Sequence, residues 1–244
     1  MSISKERMEV LLDFQKKYDF NFSNPELLNQ AFCHTSYTRE NNLEVSKSYE
    51  KLEFYGDAVL KLVVSDIVYN YFTNYAEGIL TKLRAEVISD RNIFRYALSL
   101  GFDKLILLGD NERKQGGQKK ESILACAFEA LLGAIFIEYK DEGYKKAFSF
   151  IKDNFFDDII SIEKELNKLN PKAALQEYTQ SVNHKLPKYN VVREEGKEHE
   201  KTFFVEVEFE GEVIGAGSAK SIKVSKADNK RLVRSSLRNN KDES

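Results

Sequence analysis

The sequence predicts two domains in series: an all-α domain over residues 1–158 and a small α+β domain, ordered α-β-β-β-α, over residues 170–244. A linker extending from the last helix joins them at 159–169. Three observations carry this. Up to about residue 158 apolar residues recur at steps of three and four, the spacing of one helix face. After Asn170 the period shortens to two, as on half-buried strands. Only three prolines stand among many Leu, Lys and Glu, which favours helix over a β-sandwich.

The elements follow in order. Met8, Leu11, Leu12 and Phe14 open the chain with a helical step. Ser23-Asn24-Pro25 is a helix start, a capping side chain followed by proline at the first helical position. Leu52, Val59, Leu60, Val63 and Val64 form the stripe of a long helix at about 48–73. Another runs from Gly78 through Leu80, Leu83, Val87 and Ile88. The polar stretch from Gly109 to Gln118, with Gly116-Gly117, reads as a loop. Ser122 to Tyr139 is apolar nearly all round, as expected of a bundle's central helix. Pro171 to Val182 reads as a helix, Lys188 to Arg193 and Thr202 to Phe209 as strands. Glu210-Gly211-Glu212 is a turn, and Val213 to Ala216 returns as a third antiparallel strand.

Composition sets the bounds. With 42% hydrophobic and 31% charged residues in 244, the chain can bury a core, and wholesale disorder is excluded. No uncharged apolar run reaches the ~18 residues of a membrane span, and no apolar signal region follows Met1, so no membrane partner is expected. Two cysteines, Cys33 and Cys126, are no disulfide framework and fit a reducing cytoplasm. The formal net charge is −2, but it is segregated: Lys220 to Lys241 holds eight basic residues against one acid, Asp228. An acidic first part and a basic tail point to an anionic partner.

The chemistry concentrates in Tyr49-Glu50-Lys51-Leu52-Glu53-Phe54-Tyr55-Gly56-Asp57-Ala58-Val59-Leu60. Glu53 and Asp57 lie four apart on one helix face, with Glu50 one turn earlier. Like charges at that spacing repel, and Gly56 inside a helix costs roughly 1 kcal/mol against Ala. The pattern fits carboxylates held around a cation, with Gly56 permitting a close approach; a solvated acidic face is the alternative. Glu129 weighs for the cation. It stands among apolar and small residues in a helix that should be buried, where a lone carboxylate is costly unless paired or metal-bound. No Lys or Arg occupies 125, 126, 132 or 133. Oxygen ligands on rigid helices suit Mg²⁺.

The segment Glu50-Lys51-Leu52-Glu53-Phe54-Tyr55-Gly56-Asp57 closely resembles the signature helix of the ribonuclease III family, bacterial type. Cys33-His34-Thr35-Ser36-Tyr37, Glu77-Gly78, Leu80-Thr81-Lys82-Leu83-Arg84 and Ser122-Ile123-Leu124-Ala125 match further. Ala174-Leu175-Gln176-Glu177-Tyr178, Leu186-Pro187, Lys201-Thr202-Phe203 and Gly215-Ala216-Gly217 resemble its double-stranded-RNA-binding domain. The resemblance implies a homodimeric endonuclease that hydrolyses phosphodiesters of double-stranded RNA, in rRNA and mRNA processing, leaving 5′-phosphate and 3′-hydroxyl ends. It implies Mg²⁺, with Mn²⁺ possible, ligated by Glu53 and Glu129, with Asp57 binding or orienting the hydrated metal; Asp57 and Glu129 are the implied catalytic residues. Glu50 and Glu77 would line the same cleft. Phe54 would insert into the partner subunit. Gln176, Glu177 and His199 would reach minor-groove 2′-hydroxyls, and Lys220 and Lys223 would grip phosphate.

Two features depart from the family pattern. Cys126 stands where an Asp ligand is expected, and a thiol is a poor Mg²⁺ ligand. The expected four carboxylates fall to three, which leaves a catalytically impaired double-stranded-RNA-binding protein as the alternative function. The tail after Lys223 lacks the alanine pairs of the family's last helix.

Overall fold

The computed structural model describes residues 3–169, 175, 179, 185–196 and 201–219. They fall into two compact units, one of residues up to Thr73 with Gly78–Ile159, the other of Asn74–Glu77 with the described residues from Ile160 on.

The first unit is helical. Helix α1 (Lys5–Lys17) is capped by Ser4, whose hydroxyl accepts from the Arg7 N–H. Helix α2 (Pro25–Ala31) starts at the expected Asn24-Pro25 signal: the Asn24 side chain accepts from the Glu26 and Leu27 N–H groups, and proline occupies a position that needs no donor. Helix α3 (Thr35–Glu40) is capped by the His34 ring, which accepts from the Ser36 N–H. The long helix α4 (Glu50–Tyr71) buries Leu52, Val59, Leu60, Val63 and Val64, the stripe read from sequence. Helices α5 (Glu77–Val87), α6 (Asp90–Ser99) and α7 (Phe102–Leu105) follow. The expected loop at 109–118 instead holds the short helix α8 (Asp110–Lys114) and the start of a 3-10 turn, Gly117–Lys119. Such short polar helices bury no apolar stripe and so leave no periodic signal.

Helix α9 (Glu121–Tyr139) runs through the centre, with Leu124, Ala127, Phe128, Ala130, Leu131, Leu132, Ala134 and Ile135 fully buried. Helix α10 (Gly143–Leu169) includes the residues expected as linker. Contrary to the expectation from uncharged runs, the stretch from Glu121 is long and apolar enough by length and composition to cross a membrane. Most of it is buried within the protein, which accounts for its apolarity.

Helices α4 and α9 share the most extensive helix–helix interface, and two glycines set its closeness. A Cβ on Gly56 would fall 1.7 Å from the Glu129 carbonyl oxygen, and one on Gly133 would fall 2.3 Å from that of Leu52. Backbone therefore lies on backbone where the carboxylates sit.

The second unit contains an antiparallel sheet in the order β1 (Lys188–Glu195), β2 (Thr202–Phe209), β3 (Glu212–Ala219). Val205 and Val207 point to its buried face; Leu175 and Thr179, helical and buried, are the described residues of the helix expected over Pro171–Val182. Strand β1 runs two residues past the expected end because a register shift between Val191 and Arg193 interrupts its alternation. Strand β3 likewise outruns the expected Val213–Ala216.

Candidate active site

The site is built on the α4–α9 crossing. Glu53 and Asp57 project from successive turns of α4, and Cys126 and Glu129 from successive turns of α9, all four half-buried. The close approach permitted by Gly56 and Gly133 puts the two pairs within electrostatic reach. Burial first, then the carboxylates of Asp57, Glu53 and Asp90, push the Glu129 carboxyl up to about 7, with Lys61 opposing. Burial, a hydrogen bond to Glu53 and the charges of Glu53, Glu129 and Asp90 push the Cys126 thiol up to about 12.

Cys126 has two polar neighbours. The charge of Glu53 acts on its thiol, and the thiol in turn acts on the buried Tyr49 hydroxyl. Tyr49 is 4% exposed and packs edge-on against the His34 ring, with centroids 5.7 Å apart. On the other side of the cluster, the Lys61 ammonium donates to the Asp57 carboxylate at 2.7 Å.

Among the described residues, no three His, Cys, Asp or Glu side chains converge closely enough to hold a metal ion as they stand. The donor chemistry nevertheless fits a hard divalent cation. Three carboxylate side chains bear on a fourth, half-buried one, and that fourth is short of positive charge.

Glu50 opens α4 at an exposed position, where its charge acts on Tyr49 and His34. Glu77 opens α5 and is exposed. Phe54 is 82% exposed on α4, not packed in the core. Gln176, Glu177, His199, Lys220, Lys223 and the tail lie outside the described residues.

Three contributors were given no role by the sequence. Lys61 was detectable, since it lies four residues after Asp57 on the same helix. Asp90, in the first turn of α6, arrives from a third helix, and Tyr49 meets Cys126 only through tertiary packing; no local signal marks either.

A helical unit with carboxylates gathered at one crossing, followed in the chain by a three-stranded unit, defines a class of nucleases that act on RNA duplexes. The model described as Ribonuclease-III-like matches residues 24–159, and that of the double-stranded RNA binding motif matches 171–228. The chain is 37% identical to Ribonuclease 3 of Enterococcus faecalis over 220 residues, covering 90% of this chain and 94% of the relative. It is 37% identical to Ribonuclease 3 of Listeria monocytogenes over 211 residues, covering 86% and 90%. A crystal structure of the nuclease domain of ribonuclease III from Campylobacter jejuni matches with a TM-score of 0.53 at 34% identity, covering 63% of this chain and 97% of that one. A second structure of that domain, which describes flexibility in a region involved in dimer formation, matches with a TM-score of 0.52 at 36% identity over 58% and 96%.

The chain belongs to the ribonuclease III family, and it is an endoribonuclease of double-stranded RNA. The family's reaction uses a divalent metal ion. None of these likenesses supports the alternative of a duplex-binding protein with impaired cleavage.

Proposed function

We propose that the protein hydrolyses phosphodiesters of double-stranded RNA at the α4–α9 crossing with Mg²⁺, leaving 5′-phosphate and 3′-hydroxyl ends, as a homodimer in the cytoplasm. The observation that supports this best is the raised Glu129 carboxyl: a half-buried acid pressed by three other carboxylates is a place built to receive a cation.

Glu53, Asp57 and Glu129 would hold the ion, which when bound supplies positive charge to activate water and to offset the charge that develops on the phosphate. The chain's own residues prepare that. Asp57, one turn from Glu53, orients water, with Lys61 keeping its carboxylate in place at 2.7 Å. Asp90 adds negative charge from α6. Glu50, on the first turn of α4, and Glu77 flank the path of the RNA. Gln176, Glu177 and His199 read the minor groove by shape, and Lys220 and Lys223 bind phosphate.

Domain bounds of 1–158, 159–169 and 170–244 go with this division of labour. Dimerisation is supported by Phe54, a large apolar side chain left 82% exposed beside the site, and a duplex has two strands to cut against the single carboxylate cluster at the α4–α9 crossing among the described residues. The test is cleavage of an end-labelled RNA duplex with Mg²⁺ or Mn²⁺. Glu129→Gln should abolish cleavage while leaving metal-free duplex binding intact; undiminished cleavage by Glu129→Gln overturns the reading.

A further inference from the structure

A second cleft opens in the helical unit, away from the carboxylates. It lies where the ends of α1 and α9 meet the first half of α10, and it measures about 710 Å³. Small-molecule sites span roughly 300–1,000 Å³. Tyr139, on its wall, stands ten residues beyond Glu129 on α9, about 15 Å along the helix axis. The catalytic reading uses none of the residues that line it.

Its floor is aromatic. Phe20 and Phe150 are buried, with ring centroids 5.1 Å apart, and Tyr18 meets Phe150 edge-on at 5.9 Å. The half-buried rings of Tyr18 and Tyr139 form the rim, and the Asn21 N–H donates to the Tyr139 hydroxyl, which fixes that ring. Two ammonium groups stand by these rings. Lys17 is 4.9 Å from the Tyr18 centroid, and Lys146 is 5.6 Å from that of Tyr139 and 5.8 Å from that of Phe20. The Lys146 side chain is 26% exposed, yet its carboxylate partner, Asp19 at 3.0 Å, stands fully in solvent. An ion pair with one member so exposed is weak, so an anion that enters the cleft can take the place of Asp19. Asp19 and Lys140, on the two turns that border the cleft, both hold left-handed backbone, φ 53° and 49°. Strain of that kind gathers at ligand sites.

We propose that this cleft binds one unpaired nucleotide, its base against Tyr18 and Tyr139 and its phosphate on Lys17 and Lys146. Aromatic faces beside ammonium groups are the chemistry that holds single-stranded nucleic acid without regard to sequence. A bare anion leaves the rings unused, and so does a duplex, whose bases stack on one another. A free nucleotide and an unpaired stretch beside a duplex both present this unit, and the probes tell them apart.

The full-length protein is titrated by calorimetry in chelator with adenosine 5′-monophosphate, adenosine, inorganic phosphate and a short 5′-phosphorylated oligoadenylate. Because binding is read without metal, failure of the catalytic reading leaves the result untouched. The monophosphate should bind at least about tenfold more tightly than adenosine or phosphate. Lys146→Met should weaken nucleotide binding about tenfold, and Tyr18→Leu should do the same. Both variants should cut a blunt RNA duplex as the parent does once Mg²⁺ is supplied. Tyr18 also packs on Phe14, so Lys146→Met carries the test if Tyr18→Leu does not fold. Binding of the monophosphate with these losses assigns the cleft to free nucleotides. Binding of the oligoadenylate alone, with the same losses, assigns it to unpaired RNA, and either result supports the site. No binding of either probe, parent-like binding by Lys146→Met, or phosphate bound as tightly as the monophosphate overturns the inference.

Discussion

Gly56 faces the backbone carbonyl of Glu129 so closely that a Cβ built on it would lie 1.7 Å from the oxygen. The two helices that bear the carboxylates thus touch at the residue whose side chain completes the cluster. In an isolated helix, Gly56→Ala would gain roughly 1 kcal/mol of propensity. Here a clash with backbone, which has no rotamer to escape into, outweighs that gain.

Gly56→Ala should therefore destabilise the protein by roughly 3 kcal/mol or more, as overpacking of a rigid interface does. Cleavage should fall further than stability, because α4 must move away from α9 and take Glu53 and Asp57 with it. Gly78→Ala is the control, since nothing lies within 4 Å of its added methyl group; its melting temperature should stay level or rise. Thermal unfolding of the two variants beside the parent checks this, and an unchanged Gly56→Ala would show that the helices can separate at little cost.

How far the sequence went follows from the same crossing. The bounds of α4 and α9 were readable because each buries a stripe or a whole surface, and burial writes periodicity into sequence. Gly56 was legible as a close approach because a helix does not otherwise tolerate it. Glu129 was legible as a lone charge in an apolar helix. Asp90 and Tyr49 were not, because an exposed first-turn aspartate and an aromatic residue in a motif look ordinary until packing brings them beside Glu129 and Cys126. Strand β3 overran its expected end because pairing with β2 decides strand length where Gly215 and Gly217 weaken local preference.

The metal-free protein should lose stability as pH rises from about 4.5 to about 7. The Glu129 carboxyl is raised to about 7 from an ordinary 4.5. In that window the folded state holds a proton the unfolded state has released, so the slope of stability against pH is negative. The loss should be on the order of 1–2 kcal/mol, allowing for the group's partial exposure. Glu129→Gln should flatten the slope, and Asp90→Asn should shrink it by removing one of the charges that raise the group. Urea midpoints from pH 4.5 to 8 in chelator measure this; a slope unchanged in Glu129→Gln assigns it to other groups.

Phe54→Asp should convert a dimer to monomer. The side chain is 82% exposed, so the substitution removes no core packing and should leave the monomer unit within about 0.5 kcal/mol of its starting stability. A charge placed in an apolar interface between copies should instead cost several kcal/mol of association. Sedimentation velocity at micromolar protein reads the outcome. A parent that sediments as a monomer, or a Phe54→Asp protein that remains a dimer, counts against a dimer through this face.

Duplex affinity should fall with salt and depend on the basic segment. Log affinity should decline linearly with log salt, and each phosphate-neutralising lysine removed should reduce the slope by about 0.7–0.9. A Lys220→Ala/Lys223→Ala protein should therefore bind more weakly at low salt, with a slope shallower by about 1.4–1.8. Metal-free binding measured from 50 to 300 mM salt separates this from cleavage, and an unchanged slope removes both lysines from the interface.

Cys126→Asp tests what the cysteine replaces. In the absence of metal, an aspartate beside Glu53 and Glu129 adds a fourth like charge to a half-buried cluster. The apo-protein should melt lower than the parent, and one carboxyl of the cluster should bind a proton near neutral pH. Mg²⁺ binds only the folded site, so it should restore the loss by mass action, and the rise in melting temperature with Mg²⁺ should be steeper than in the parent. The thiol, already pushed up to about 12 by its surroundings, stays neutral and carries no such penalty. Cysteine at 126 thus exchanges a fourth anionic oxygen for an apo-site with less repulsion. Melting curves of both proteins across a Mg²⁺ series decide the matter: equal melting temperatures in chelator and equal slopes in Mg²⁺ would mean that position 126 does not face the cluster at all.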